Sequence, residues 1–284
     1  MSAPAPSAFD RLQPRIAGPW VKAHAESDDL IILFHSDAMQ RNNPLVALSP
    51  YASLIWRSIS SNATVGEMRR DALRCFGGDE VLPLLRRFSD LEFLQPLPGL
   101  GEVPLGPERI AKEIPAPEVQ FLLPHAAVPW YCLWEVTTLC NLRCRVCYLR
   151  EFSTQGPALS SALAIVRQIV DAGVFYVCLL GGEPLLRRDL EEIIGALRAA
   201  HVFVKVITNG FPLDARRART LAASGLNQIE VSFDGLTATS HDLSRGDGMF
   251  RKAHLLVRPD QRGLGRRWRG PALFLFLPGS RKHP

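Results

Sequence analysis

The chain has 284 residues, 47% of them hydrophobic and 21% charged, a globular balance with room for two domains rather than a disordered composition. No apolar run reaches bilayer length, so a membrane partner is not expected. The net charge of +5 is unevenly placed: nine Lys or Arg and one Asp after residue 250 put +8 there and leave −3 on the rest, which argues against nucleic-acid binding through a basic face. The start, Met1-Ser2-Ala3-Pro4-Ala5-Pro6, lacks the basic and apolar regions of a secretory signal, so the expected location is cytoplasmic.

Residues 1–97 read as one unit. Short strands are expected at 29–34 and 44–48 around a polar loop, followed by a helix over 51–59. Thr64-Val65-Gly66-Glu67 has the form of a capping box, and Val65, Met68, Ala72, Leu73 and Phe76 follow on one helical face. Asp79 opens a third helix carrying Val81, Leu84, Leu85 and Phe88, and 91–97 closes the unit as an extended segment. The expectation is a small winged-helix-like α+β domain. Residues 98–128, rich in Pro and Gly, read as a linker.

Residues 129–255 alternate short apolar strands (132–137, 174–180, 202–208, 228–233) with amphipathic helices (160–172, 189–200, 214–224), Ser161 and Asp189 being the expected N-caps. That rhythm is the mark of β/α units on a parallel sheet. Such sheets bind ligands at the carboxyl ends of their strands, where several polar motifs fall. Gly181 and Gly182 permit close backbone approach to a ligand, Glu183 adds a carboxylate and Pro184 ends the segment; a plain tight turn is the alternative. Asn209-Gly210 alone is more often a turn than a ligand contact.

After the first of these strands comes Cys140-Asn141-Leu142-Arg143-Cys144-Arg145-Val146-Cys147-Tyr148, with C-x3-C-x2-C spacing. Iron–sulfur clusters usually take four thiolates, so a compact set of three leaves one iron open to another ligand. A zinc site or structural thiols are the alternatives, but no second ligand arm follows within reach. Cys75, Cys132 and Cys178 lie in apolar patterns, where free cysteine behaves as a small hydrophobe.

With Gly181-Gly182-Glu183-Pro184, Thr208-Asn209-Gly210, Val231-Ser232-Phe233-Asp234-Gly235 and His241-Asp242-Leu243-Ser244-Arg245-Gly246 in this order, the chain resembles the radical S-adenosylmethionine (SAM) enzymes, in the SPASM/PqqE-like branch that modifies peptides. The resemblance implies an α/β fold, a β/α radical SAM barrel, here partial. It also implies a [4Fe-4S] cluster on Cys140, Cys144 and Cys147, with SAM on the open iron, cleaved reductively to a 5′-deoxyadenosyl radical. Gly181, Gly182 and Glu183 would receive the methionine amino group, with Pro184 fixing their exit. Ser232 and Asp234 would lie near the ribose and methionyl moiety, with Asn209 at the same edge and Arg245 as partner of a carboxylate. Val146 stands where the family often has an aromatic residue near adenine, leaving Tyr148 as a neighbour. A reductant such as ferredoxin or flavodoxin is implied as a partner.

The first unit is similar to the PqqD-like RiPP recognition element, which captures the leader segment of a precursor peptide as an added strand; Leu48, Ser49, Leu54, Ile55, Trp56 and the 64–68 segment carry the likeness. Leu54, Ile55 and Trp56 read equally as core.

After residue 250 no further helix and fifth strand are expected, and 256–284 reads as an aberrant basic tail. The expectation is a truncated or frame-shifted peptide maturase with an incomplete barrel. Its rivals are a radical SAM enzyme acting on another substrate and an inactive fragment that keeps only leader binding.

Overall fold

The computed structural model describes residues 9–25, 31–35, 45–105, 111–113, 129, 131–257 and 272–276. The chain divides into two compact units, Met1–Ala127 and Val128–Pro284.

In the first unit, strands β1 (Val21–Ala25), β2 (Ile31–His35), β3 (Leu45–Leu48) and β4 (Ala111–Glu113) form one antiparallel sheet in that order. Two of these strands were not expected. Val21-Lys22-Ala23-His24-Ala25 is poor in strong strand formers, and β4 is a three-residue piece of the segment read as linker. The polar loop expected before β3 lies outside the described residues.

Helices α1 (Pro50–Ser60), α2 (Val65–Phe76) and α3 (Val81–Asp90) follow β3. The capping box forms as the sequence predicts: Thr64 N donates to Glu67 Oε2 at 2.7 Å and Glu67 N to Thr64 Oγ1 at 3.3 Å. Asp79 does not cap α3, because its carboxylate pairs with Arg69, which also holds Asp10. The helical stripes meet in one core. Ile55 and Trp56 belong to it, with the indole edge-on to Phe88 at 5.4 Å. The segment expected to be extended after α3 begins instead with a turn at 91–92, Glu92 having φ 59°, before Leu94 bridges back to Ile16.

The second unit is a parallel sheet in chain order: β5 (Tyr131–Thr137), β6 (Tyr176–Gly181), β7 (Phe203–Thr208), β8 (Gln228–Ser232) and β9 (Ala272–Phe276). Helices α4 (Leu159–Asp171), α5 (Leu190–Ala199) and α6 (Ala215–Ala223) connect successive strands, and α7 (Ala238–Arg245) and α8 (Met249–Val257) precede β9. One sheet face, with Val177, Leu179, Val204, Val206, Ile229 and Val231, packs into a core with Val166, Ile193, Leu197 and Leu221 of the helices. The other face carries the ring ladder Tyr131, Tyr176, Phe203 and the Lys205–Glu230 ion pair of 3.0 Å.

Two readings need correction here. Ser161 is not a cap, since α4 already begins at Leu159, after Ala158. The tail is also not devoid of order: Ala272–Phe276 pairs parallel with β8, from Gln228↔Ala272 to Ser232↔Phe276. An apolar run too short for a membrane has strand length, and α7 and α8 supply the connection that the sequence rhythm seemed to lose.

Candidate functional site

The three cysteines lie in the loop after β5, all free of disulfides and half-buried. Its entry is pinned by hydroxyls. Thr137 Oγ1 donates to Thr154 O at 2.8 Å, and the amides of Thr138 and Leu139 both donate to that same carbonyl at 3.0 Å. β6 then closes beneath it: Gly182 N donates to Thr137 O at 2.8 Å and Glu183 N to Leu139 O at 2.7 Å.

This contact explains the glycines. Gly181 has φ 143°, and a Cβ there would overlap Thr137 O; one on Gly182 would overlap the carbonyl oxygens of Thr138 and Leu139. The close approach that these glycines permit is made here by the cysteine loop's own backbone. Glu183 is likewise turned inward. It is fully buried, Oε1 accepting from Leu185 N (3.0 Å) and Thr208 Oγ1 (2.7 Å) and Oε2 from Asn209 N (2.8 Å). Burial drives its carboxyl up, outweighing the downward pull of those three hydrogen bonds. It ties the ends of β6 and β7 together instead of facing a ligand. Pro184, also buried, begins a short 3-10 turn, Pro184–Leu186.

Asn209 is both turn and contact. Its Oδ1 accepts from Phe211 N at 2.8 Å, while Nδ2 donates to Asn141 Oδ1 at 3.0 Å and reaches Cys140 Sγ at 3.9 Å. Leu142 N also points at Cys140 Sγ, at 3.4 Å. Burial raises the thiol pKa of both Cys140 and Cys144; Leu142 N opposes the rise at the first and the Arg245 charge at the second.

At the end of β8, Ser232 is half-buried. Asp234 accepts from Ser244 Oγ and Arg245 Nη2, each at 2.8 Å. Burial would raise its pKa, but those bonds and the Arg245 charge leave it below the usual carboxylate range. Arg245, expected as partner of a carboxylate, is paired here with Asp234, which was expected near the ribose and methionyl moiety. Their array also grips the cysteine loop, because Arg145 N donates to Ser244 O at 2.9 Å. His241 is completely buried between Phe233 and Phe250, and its Nδ1 accepts from Asp234 N at 3.2 Å, placing the proton of the neutral ring on Nε2. Burial lowers its pKa. His241 Nε2 and Arg245 Nε are buried with no partner among the described residues. Val146 and Tyr148 are both exposed.

Arg187 was missed by sequence reasoning. Only 2% exposed, it donates from Nη1 to Val136 O (2.6 Å) and Gln155 O (3.2 Å), from Nη2 to Pro157 O (2.8 Å), and from Nε and Nη2 to Asp189. It clamps the far end of the cysteine loop to β5. The pairing also consumes Asp189, which occupies the N-cap position of α5 without capping it. An Arg two residues before an Asp at a helix start is the available signal, and it reads equally as surface charge.

Among the described residues no group of three His, Cys, Asp or Glu converges on a point suited to one metal ion. Iron–sulfur clusters are held by cysteine thiolates, and three free thiols on one loop match that donor chemistry.

Residues 134–253 match the model of the Radical SAM superfamily, whose members use a [4Fe-4S] cluster and SAM. The mycofactocin maturase MftC of Mycobacterium ulcerans is 38% identical over 122 residues, 42% of this chain and 33% of that protein. The AdoMet-dependent heme synthase of Nitratidesulfovibrio vulgaris is 33% identical over 121 residues, 40% of this chain and 32% of the relative. The chain thus spans about a third of the length of these curated relatives. Among solved structures, Streptococcus suis SuiB bound to precursor peptide SuiA shares the fold with TM-score 0.51 at 18% identity, over 82% of this chain and 51% of that one. No helix among the described residues is long and apolar enough to cross a membrane.

Proposed function

We propose that the chain is a cytoplasmic radical SAM enzyme, or the part of one that holds the cluster and SAM, and that it modifies a ribosomally made peptide. One observation carries the reading: three free cysteines on a loop at the carboxyl edge of a parallel sheet, braced from β6, β7 and α7. When bound, a [4Fe-4S] cluster with SAM supplies reductive cleavage of the sulfonium and a hydrogen-abstracting radical. The protein's share is placement. Cys140, Cys144 and Cys147 hold the cluster. Asn209, Ser232 and the Gly181–Gly182 backbone lie at the edge where SAM binds, while Glu183 and Pro184 hold that edge in place. Arg245, kept in orientation by Asp234, presents a cation to the same side.

The peptide-modifying reading is supported by the relation to a mycofactocin maturase and by a fold likeness to SuiB that covers more of the chain than the second unit alone. The first unit, three helices against an antiparallel sheet, is read as a winged-helix-like, PqqD-like domain for the leader segment. A ferredoxin or flavodoxin is the electron donor, and the sheet is part of a larger barrel. A second reading, a non-peptide substrate, is favoured by the relation to a heme synthase. Anaerobic reconstitution followed by iron, sulfide and 5′-deoxyadenosine measurement tests the chemistry. Wild type binds about four irons per chain and releases 5′-deoxyadenosine from SAM under dithionite, and Cys144→Ala does neither. Zinc in place of iron, or an unaffected variant, refutes it.

A further inference from the structure

The first sheet is completed by a strand from an unusual source. β4 comes from a stretch rich in Pro and Gly, more than sixty residues after β3 in the chain. It is also the shortest strand among the described residues, with three register pairs to β3: Val46↔Glu113, Ala47↔Lys112 and Leu48↔Ala111. Val46 and Leu48 are core residues, 0% and 1% exposed, and directly opposed residues of an antiparallel pair share a face. The register therefore sets Glu113 and Ala111 opposite those two core residues, where the sequence offers an acidic and a small residue instead of large apolar ones.

We propose that β4 is a built-in placeholder on the β3 edge, displaced by an extended peptide with large apolar residues two positions apart. This rests on the reading of the first unit as a peptide-capturing domain and adds its regulation. The edge demonstrably accepts an antiparallel strand, since β4 already lies there. Backbone hydrogen bonds are sequence-independent, so the incoming strand replaces those of β4 one for one; the difference lies in the apolar area at alternate positions. Because β4 is tethered, it competes at a high effective concentration, and only a better-fitting strand displaces it. Weak peptides are thereby rejected without any dedicated gate.

The test uses the full chain and two fluorescein-labelled synthetic peptides: residues 107–116 of this sequence, and the same peptide with Ala111→Leu and Glu113→Leu. Binding is followed by anisotropy. Three proteins are compared: wild type; a freed-edge variant, Ala111→Gly with Lys112→Pro and Glu113→Gly; and a locked variant, Ala47→Cys with Lys112→Cys. The last joins opposed residues at a spacing a disulfide can bridge.

The freed-edge variant is expected to bind both peptides, the leucine peptide at least about tenfold more tightly. Wild type should bind the leucine peptide about tenfold or more weakly than the freed-edge variant does, and the locked variant only after reduction. Equal binding by wild type and freed-edge protein, or binding by the oxidised locked variant, overturns the displacement and leaves peptide capture standing. Binding by none of the three, with the edge freed, overturns peptide capture and this inference with it.

Discussion

Replacing Arg187 by Lys keeps the charge and removes the fork. In the native side chain three nitrogens make five hydrogen bonds, to Val136 O, Gln155 O, Pro157 O and both carboxylate oxygens of Asp189, at a site 2% exposed. A single ammonium cannot reach acceptors that lie on opposite sides of a planar guanidinium; it keeps Asp189 and one carbonyl at best. Two of the three carbonyls, Val136 O buried and Gln155 O and Pro157 O part-buried, lose a charged donor, at roughly 1.5–3 kcal/mol each where water is excluded, so the expected destabilisation is at most about 3–6 kcal/mol. For a unit of this size that is a fall in Tm of at most roughly 6–24 °C. Calorimetry of the apoprotein under argon measures it. Iron bound after reconstitution reports the loop, since the carbonyls concerned flank the return of the cysteine segment. A variant within about 1 kcal/mol of wild type, with full iron content, would refute the clamp.

Glu183→Gln leaves either Leu185 N or Asn209 N facing an amide NH2, because one acceptor oxygen has become a donor. Removing a buried carboxylate from its desolvated site offsets part of that loss, and a net destabilisation of about 1–3 kcal/mol is expected in urea titrations. Asp234 gives a pH signature. Its folded pKa lies below the ordinary 3.8, so its pairing with Arg245 contributes stability that is full above the unfolded value and is lost as pH falls through the folded value. The stability advantage of wild type over Asp234→Asn should be constant above about pH 5 and shrink on acidification below 3.8, as urea midpoints at pH 6 and pH 3 would reveal.

The regular half of the fold was legible because periodicity carries it: the capping box before α2, and the apolar strands β5 to β8, each needed only local rules. What stayed hidden depended on distant partners. Nothing local tells Arg187 that Val136 and Pro157 will be its acceptors, or Asp79 and Asp189 that arginines will divert them from capping. β9 hid behind a basic stretch, and β4 behind prolines, since strand pairing is decided by a neighbour and not by the strand itself. The motif residues were found at the expected edge, yet the glycines and Glu183 answer to backbone carbonyls and amides, which a sequence motif does not display.

Strand order in the second sheet equals chain order, so each new strand emerging from the ribosome can join the growing edge without waiting for a later one. The thiols are translated early, just after the first of these strands, but Asn209 and Ser244, which brace them, arrive many residues later. A cluster on this loop would therefore find its full bracing only once α7 has been translated, and a nascent chain stalled before α7 would offer iron a loop with its ligands present and its scaffold absent.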